Sequence, residues 1–210
     1  MQCVDESHQA GKNVIAYSLR SNRYLNLTNR CTLRCRFCPK FNKQWDVESY
    51  SLRLREEPDV SCILNEVGAV GEYEQVVFCG LGEPTLRLPE LLEVASGLKR
   101  QGAFVRVNTD GLANFIHGRD VTPQLADCVD ALSISLNAQD ESTYNYHCRP
   151  PREGAYPEML EFILRAKAHI PEITLTAVDG LDGVDVGACR DLAHRFGVQF
   201  RRRVLGKVGV

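Results

Sequence analysis

The sequence lacks any long uncharged stretch. The longest run without Asp, Glu, Lys or Arg is Ala131–Gln139, nine residues. A membrane-spanning helix needs about 20 apolar residues, so we expect no membrane partner. Residues 1–12 are polar and lack the apolar segment of a signal peptide. These absences predict a cytoplasmic protein.

The chain also lacks an excess of one charge, internal repeats and a Gly/Ser linker. Lys and Arg number 25 against 27 Asp and Glu, a net charge of −2, so a general basic field for nucleic acid is absent. Hydrophobic residues at 44% and charged residues at 25% are ordinary globular values. They exclude a disordered or collagen-like chain, and 210 residues suffice for one domain with a sizeable core.

Short β-rich runs alternate with segments of helical periodicity. The predicted strands are Tyr24–Leu27, Gln75–Cys79, Phe104–Asn108, Ala131–Leu136, Ile173–Val178 and Val198–Val204. The predicted helices are Asp59–Val70, Pro89–Arg100, Ala155–His169 and Val186–Phe196, with shorter ones at Thr122–Asp127 and Asp140–Tyr146. This order predicts right-handed βαβ units and a parallel sheet.

Six such units fit this length, whereas a complete eight-fold barrel needs about 250 residues. We therefore predict an α/β fold, a partial (β/α)6 TIM-like barrel with parallel strands. The whole chain, 1–210, is predicted as one domain, with 23–210 as the barrel and 1–22 as an N-terminal extension or hairpin strand. In that hairpin Asn13–Leu19 pairs with Tyr24–Leu27 and turns at Ser21-Asn22.

Nine cysteines without an export signal favour reduced thiols over a disulfide framework. Cys31, Cys35 and Cys38 lie within eight residues, a spacing that suits a soft metal or an iron–sulfur cluster. A structural zinc site needs four ligands, but no second Cys-x-x-Cys pair and no nearby His follow. Three thiolates on a four-iron cube would leave one iron free to bind a small molecule.

Polar and Gly-rich segments follow the first four predicted strands. These segments are Thr28–Pro39, Gly80–Thr85, Asn108–Gly111 and, at the end of the fourth strand, Ser133–Asn137. The carboxyl ends of parallel strands meet at one rim, where such folds place their functional loops. The sequence therefore predicts a single mouth that holds a polar ligand.

The spacing Cys31-x-x-x-Cys35-x-x-Cys38, with Phe37 before the last Cys, resembles the signature of the radical S-adenosylmethionine (radical SAM) superfamily. Leu81–Pro84 resembles its Gly-Gly-Glu-Pro loop, Asn108–Gly111 its Asn-Thr-Asn-Gly turn, and Ser133–Asn137 its fourth-strand segment. Two further stretches, Phe78–Arg87 and Asn114–Asp120, resemble the small TatD-associated subgroup of radical SAM proteins.

The resemblance implies two cofactors, a [4Fe-4S] cluster and SAM. It implies that the cluster reductively cleaves SAM to a 5′-deoxyadenosyl radical, which abstracts hydrogen from an unidentified substrate. A one-electron donor protein such as a flavodoxin or ferredoxin is then needed. A wide mouth would admit a protein or an RNA.

The resemblance also implies residue roles. Cys31, Cys35 and Cys38 would ligate iron, and Phe37 would flank the adenine. Gly82, Glu83 and Pro84 would contact the SAM ammonium, Asn108 and Ser135 its carboxylate or ribose, and Asn137 the ribose hydroxyls. For each contact the alternative is an ordinary turn, cap or packing role. No hydrogen-abstraction or other catalytic side chain is assigned.

Two other functions stay open at this point. One is a glycyl-radical-enzyme activase that acts on a partner protein, and the other is a non-catalytic iron–sulfur or zinc module. Cys148 is a hydrogen donor, a substrate contact or a plain loop residue. His117 and Arg119 either bind an anion or cap a helix. Of Arg201–Arg203, alternate members must face opposite sides of a strand, and an inward Arg would suit a phosphate or carboxylate.

Overall fold

The computed structural model describes residues 13–206. The predictions for residues 1–12, and the basic Lys207 near the chain end, lie outside this range. Within it, no helix is long and apolar enough to cross a membrane. The division of the chain into a single domain remains a prediction.

One seven-stranded sheet forms the centre of the molecule. Its strands are, in chain order, β1 (Ala16–Leu19), β2 (Asn22–Leu25), β5 (Gln75–Phe78), β6 (Val105–Thr109), β7 (Ala131–Ser135), β8 (Glu172–Asp179) and β9 (Gln199–Val204), and they pair in that order. β1 runs antiparallel to β2, and every later pair is parallel. Six parallel strands confirm the predicted α/β partial barrel.

Helices connect the parallel strands. They are α1 (Val60–Val67), α2 (Leu88–Arg100), α3 (Ala113–His117), α4 (Thr122–Ala126), α5 (Glu141–Cys148), α6 (Ala155–Lys167) and α7 (Val186–Phe196). Short 3₁₀ turns cover Pro39–Asn42, Val70–Glu72 and Pro84–Arg87. α1, α5 and α7 begin after Asp59, Asp140 and Asp185, whose side chains accept a hydrogen bond from the backbone of the first helical turn.

The sequence prediction was wrong at three places. The hairpin turns at Arg20-Ser21 rather than Ser21-Asn22, since Leu19 pairs with Asn22, and Arg20 has a left-handed φ of 55°. α3 was not predicted because its five residues are too few to show a period. The same holds for the two-residue strands β3 (Asp46–Val47) and β4 (Tyr50–Ser51), which form a separate small sheet.

The two faces of the large sheet differ in chemistry. Val105 and Val107 of β6 belong to the main hydrophobic core with α2 and α6, so Arg106 and Asn108 face the other way. Alternating residues of β7, β8 and β9 follow the same rule through their register. We call the face turned away from the helices the lumen face. Its polar residues are the ones that a ligand inside the partial barrel would meet.

Candidate functional site

The three clustered cysteines lie on an irregular segment after β2, which we call the cysteine loop (residues 26–38). Two of its backbone N–H groups donate to the end of α5: Arg34 N to Cys148 O at 3.0 Å and Arg36 N to His147 O at 2.8 Å. The last carbonyls of a helix have no partner within the helix, so this docking satisfies them. The loop is thereby held against α5, although the paired residues are 114 and 111 positions apart in the chain.

The start of the loop is fixed by hydrogen bonds to the segment before α1. Asn29 donates to Leu54 O at 2.6 Å and accepts from Leu54 N at 3.0 Å. Arg30 forms a two-pronged ion pair with Glu57, at 2.8 and 3.1 Å, and Thr28 donates to the same carboxylate. The loop therefore has a defined backbone path without regular secondary structure.

Two glycines after β5 allow the next strand end to approach this loop. A Cβ at Gly82 would overlap Thr28 O and lie 2.6 Å from Arg30 O, both backbone atoms. A Cβ at Gly80 would overlap the amide oxygen of the buried Asn26, whose Nδ2 is held by Val14 O and Leu52 O. The Gly-x-Gly sequence is thus required by close packing.

Glu83 follows Gly82, and its buried carboxylate accepts four hydrogen bonds from the protein, three at Oε1 and one at Oε2. Oε1 accepts from Thr85 N at 3.1 Å, Thr85 Oγ1 at 2.7 Å and Thr109 Oγ1 at 2.8 Å. Oε2 accepts from Asp110 N at 2.8 Å. Burial raises the pKa of Glu83 even though these hydrogen bonds oppose the shift. Glu83 therefore joins the ends of β5 and β6.

Asp110, which sequence reasoning left unassigned, is the second buried carboxylate at this rim. Its Oδ1 accepts from Leu112 N at 3.0 Å, whereas its buried Oδ2 has no well-formed hydrogen bond within residues 13–206, although the Thr32 and Glu83 side chains lie beside the carboxyl. Burial, and next the charge of Glu83, raise the pKa of Asp110 well above its usual range. An unpartnered oxygen of this kind suits a cationic ligand group. The signal in the sequence was Asp110 itself, which stands where the Asn-Thr-Asn-Gly turn of the superfamily has its second Asn.

The other predicted SAM contacts lie on the same rim and differ in burial and in hydrogen bonding. Asn108 and Asn137 each have a buried Oδ1 that finds no hydrogen-bond partner in the described part of the chain. Asn137 adopts a left-handed φ of 61°, which Asn tolerates better than most residues. Ser135 is the last residue of β7 and Phe37, half-buried, packs against the main core. The two orphaned amide oxygens are free to accept from hydroxyl or ammonium groups.

The thiols are surrounded by groups that disfavour thiolates. Burial, followed by the charges of Asp110 and Glu83, raises the pKa of Cys31. A hydrogen bond with Cys148, followed by burial, raises the pKa of Cys35, and burial raises that of Cys38. A thiol becomes a good ligand here only when a metal's charge displaces its proton.

Cys148, for which the sequence left the roles of hydrogen donor, substrate contact and plain loop residue open, is the fourth thiol at this place. It is the last residue of α5, buried beside Cys35, and it accepts from Asn137 Nδ2 at 3.5 Å. Tyr144, one turn earlier, has a buried hydroxyl without a partner. Only the docking of α5 on the cysteine loop brings these residues to the site, so their sequence positions carried no signal.

Within residues 13–206, no three Cys, His, Asp or Glu side chains form a group that could hold one metal ion. A four-iron cluster does not require three side chains that converge on a single metal ion, because each thiolate binds a different iron.

Other predicted candidates lie elsewhere. His117, at the end of α3, has its Nε2 2.8 Å from Thr85 O, and Arg119 donates to Gln124 at 2.6 Å. Both therefore have partners within the protein. Arg201 and Arg203 of β9 face the lumen, while Arg202 faces outward and pairs with Asp179.

The sequence matches the family model of the Radical SAM superfamily over residues 25–195. The chain therefore belongs to the radical SAM superfamily. Members of this superfamily are enzymes that use a [4Fe-4S] cluster and SAM and that need an electron donor and a substrate.

One curated relative is the tungsten-containing aldehyde ferredoxin oxidoreductase cofactor-modifying protein of Pyrococcus furiosus. It is 32% identical over 92 residues, which cover 42% of this chain and 23% of that protein.

Solved structures of low identity share the fold. TYW1 with a lysine–pyruvate adduct bound has a TM-score of 0.63 at 16% identity, covering 90% of this chain and 66% of that one. SuiB of Streptococcus suis bound to S-adenosylmethionine has a TM-score of 0.64 at 12% identity, covering 89% and 39%. This chain thus spans two thirds or less of the length of these proteins, and their likeness to it is one of fold.

Proposed function

We propose that this chain is a radical SAM enzyme whose substrate is a separate molecule bound in the partial barrel. The observation that carries the proposal is a rim where three cysteines meet buried oxygens without partners. Those oxygens belong to Asn137 and Asp110 beside the thiols, and to Asn108 lower on β6. Desolvated acceptors are costly unless a ligand supplies donors.

The residues fit the two cofactors that the superfamily uses. Cys31, Cys35 and Cys38 would hold the cluster, since thiolates are the ligands that iron–sulfur clusters take. When bound, the reduced cluster and SAM together supply a radical that removes a hydrogen atom from the substrate. The remaining tasks, orientation and exclusion of water, belong to the protein.

The SAM contacts divide by charge. Asp110 Oδ2 would accept from the ammonium group, with Glu83 holding the Asp110 backbone in place at 2.8 Å. Gly82 would offer its backbone, and Phe37 would lie against the adenine. Asn108 and Asn137 would accept from the ribose hydroxyl groups through their amide oxygens, and Ser135 would donate to the carboxylate. This arrangement shifts the principal acidic contact from Glu83, whose carboxylate already accepts four protein hydrogen bonds, to Asp110.

The finer assignment to the TatD-associated subgroup is part of this proposal. It is supported by the stretches Phe78–Arg87 and Asn114–Asp120. We also propose a single domain, a cytoplasmic location and an electron donor such as a flavodoxin or ferredoxin.

The experiment is anaerobic reconstitution of the cluster, followed by SAM and a strong reductant, with 5′-deoxyadenosine as the product measured. Wild-type protein should bind about four irons and four sulfides per chain and cleave SAM slowly without substrate. Cys35→Ala should lose the cluster and produce no 5′-deoxyadenosine above background. Equal product from both proteins would refute the proposal.

Two further variants control the result. Cys189→Ala removes a buried thiol on α7, outside the site, and should keep both iron and product. Cys148→Ala tests whether the cluster has three cysteine ligands or four. If Cys148 is not a ligand, iron and sulfide should stay at about four per chain. Loss of the cluster in Cys148→Ala would mean that no iron is left open, and would reject SAM chelation there.

A further inference from the structure

Within residues 13–206, three arginines face the lumen without a carboxylate partner. Arg106 lies on the interior strand β6, and Arg201 and Arg203 lie on the edge strand β9, with β7 and β8 between the two strands. Each alternates with a residue that packs against the helices: Val105 and Val107 on β6, and Phe200 on β9. All three guanidinium-bearing side chains therefore project from the lumen face.

The curvature of the sheet brings these side chains together. Arg201 donates to Ser133 Oγ on β7, at 3.2 Å, although β8 lies between the two strands. Burial lowers the pKa of Arg201, and the charges of Arg106 and Arg203 lower it further. The same two arginines lie close enough to Cys79 to oppose the rise that burial causes in the pKa of its thiol. The three cations thus share one region of the lumen.

No anion from the described part of the chain neutralises them. The ion pairs among residues 13–206 use Arg202 on β9 but none of these three arginines. Arg106 Nε is buried and has no hydrogen-bond partner among residues 13–206. A desolvated guanidinium nitrogen without an acceptor is costly, and neighbouring like charges repel one another. Arg201 is exposed and Arg203 half-buried, so an anion can reach the arginines from solvent and relieve both costs.

We propose that the lumen binds the phosphate monoester group of the substrate through Arg106, Arg201 and Arg203. Three guanidiniums match a dianion better than a single-charged carboxylate, and the planar fork of Arg binds phosphate oxygens in pairs. Ser133 adds a hydroxyl beside Arg201. The description of the anion as substrate rests on the proposed function, whereas the anion site itself does not.

The opposite side of the lumen suits the rest of such a molecule. Tyr17 of β1 and Tyr24 of β2 stack at 5.4 Å, and Tyr50 of β4 packs on Tyr17 at the same distance. Tyr24 lies near enough to influence the pKa of Arg201. Tyr17 is buried within this stack, whereas Tyr24 is half-buried, so a phosphorylated substrate with a flat ring would meet arginines at one end and the Tyr24 ring at the other.

The test is calorimetric titration of the reconstituted full-length protein with inorganic phosphate, with and without SAM. Arg201→Gln and Arg203→Gln should each weaken phosphate binding roughly tenfold, the loss expected for one charge-assisted pair. Arg202→Gln is the matched control on the same strand, because its side chain faces outward, and it should stay within about twofold of wild type. Absent binding, or equal binding by all four proteins, would overturn the proposal.

Separate titrations identify the source of the anion. Acetate should bind more weakly than phosphate, and a nucleoside 5′-monophosphate should bind at least as well as phosphate. Tighter binding of a single-stranded RNA without terminal phosphate would reject the monoester. If SAM competes with phosphate and the variants lose SAM affinity, the arginines bind the SAM carboxylate and the proposal is wrong. Phosphate binding without SAM cleavage would leave the site intact and refute the proposed enzyme.

Discussion

The β5–β6 rim and strand β9 differ in how many protein partners their charged side chains have. At the β5–β6 rim the Glu83 carboxylate accepts from four protein donors and is closed off from water. On β9, Arg201 has Ser133 as its one hydrogen-bond partner among the described residues, and Arg203 has no ion pair there. The first region is built by its own contacts, whereas the second is completed only by a ligand. Substitutions should therefore damage folding at the rim and binding at β9.

The largest effect is expected at Gly82. Gly82→Ala places a methyl group against the Thr28 and Arg30 carbonyls, which are backbone atoms and cannot rotate away. Overpacking of this kind costs about 1–3 kcal/mol or more, and it displaces the cysteine loop. We expect a lower free energy of unfolding in urea and reduced iron loading after reconstitution.

Gly71→Ala is the matched control for Gly82→Ala, since no atom lies within 4 Å of its added Cβ. It should retain wild-type stability and iron. Similar behaviour of both variants would mean that the loop adapts freely and that its packing is not what positions the cysteines.

An intermediate effect is expected at the two buried carboxylates, with opposite signs. Glu83→Gln removes an acceptor from several buried donors and should destabilise the protein by about 1–3 kcal/mol. Asp110→Asn keeps the acceptor for Leu112 N and removes a charge beside Glu83. Asp110→Asn should therefore raise the melting temperature of the cofactor-free protein at neutral pH.

The pH dependence of Asp110→Asn follows from the raised pKa of Asp110. A carboxyl whose folded pKa is raised contributes stability below its ordinary pKa, and this contribution is lost as pH rises through the folded pKa. The melting temperature of Asp110→Asn should thus exceed that of the wild type by more at neutral pH than at acid pH. Each kcal/mol of difference in stability corresponds to about 2–4 °C. A constant difference across that range would show that the Asp110 charge does not matter to folding.

The smallest effect on stability is expected at the arginines. Arg201→Gln relieves repulsion from Arg106 and Arg203 and removes one hydrogen bond to Ser133. The free energy of unfolding without ligand should stay within about 0.5 kcal/mol of wild type, or rise. Chemical denaturation of the cofactor-free protein measures this. A loss of several times that amount would make Arg201 a structural residue and remove the distinction between the two regions.

Local pattern predicted most of the architecture. α7 was predicted to its last residue, and α2 to within one residue, because each has a clear apolar stripe and a defined end. Short elements were missed: β3, β4 and α3 have too few residues for periodicity. The hairpin turn was displaced by one residue because Arg20, not Asn22, takes the left-handed conformation.

The candidate site divides in the same way. Spacing within one loop and residues at strand ends carried the prediction of Cys31, Cys35 and Cys38, because a local motif depends on a few consecutive residues. The family match over residues 25–195 agrees with that motif.

The sequence alone thus determined the parallel order, the cysteine motif and the rim on which polar segments gather. Tertiary structure decided that Glu83 accepts four protein hydrogen bonds while Asp110 Oδ2 has none within residues 13–206. It also decided that Cys148 lies beside Cys35 and that Arg106 lies near Arg201 and Arg203. The reason is physical: burial, partners and the meeting of distant charges depend on how strands and helices pack. No local pattern records which donor reaches a carboxylate from another strand.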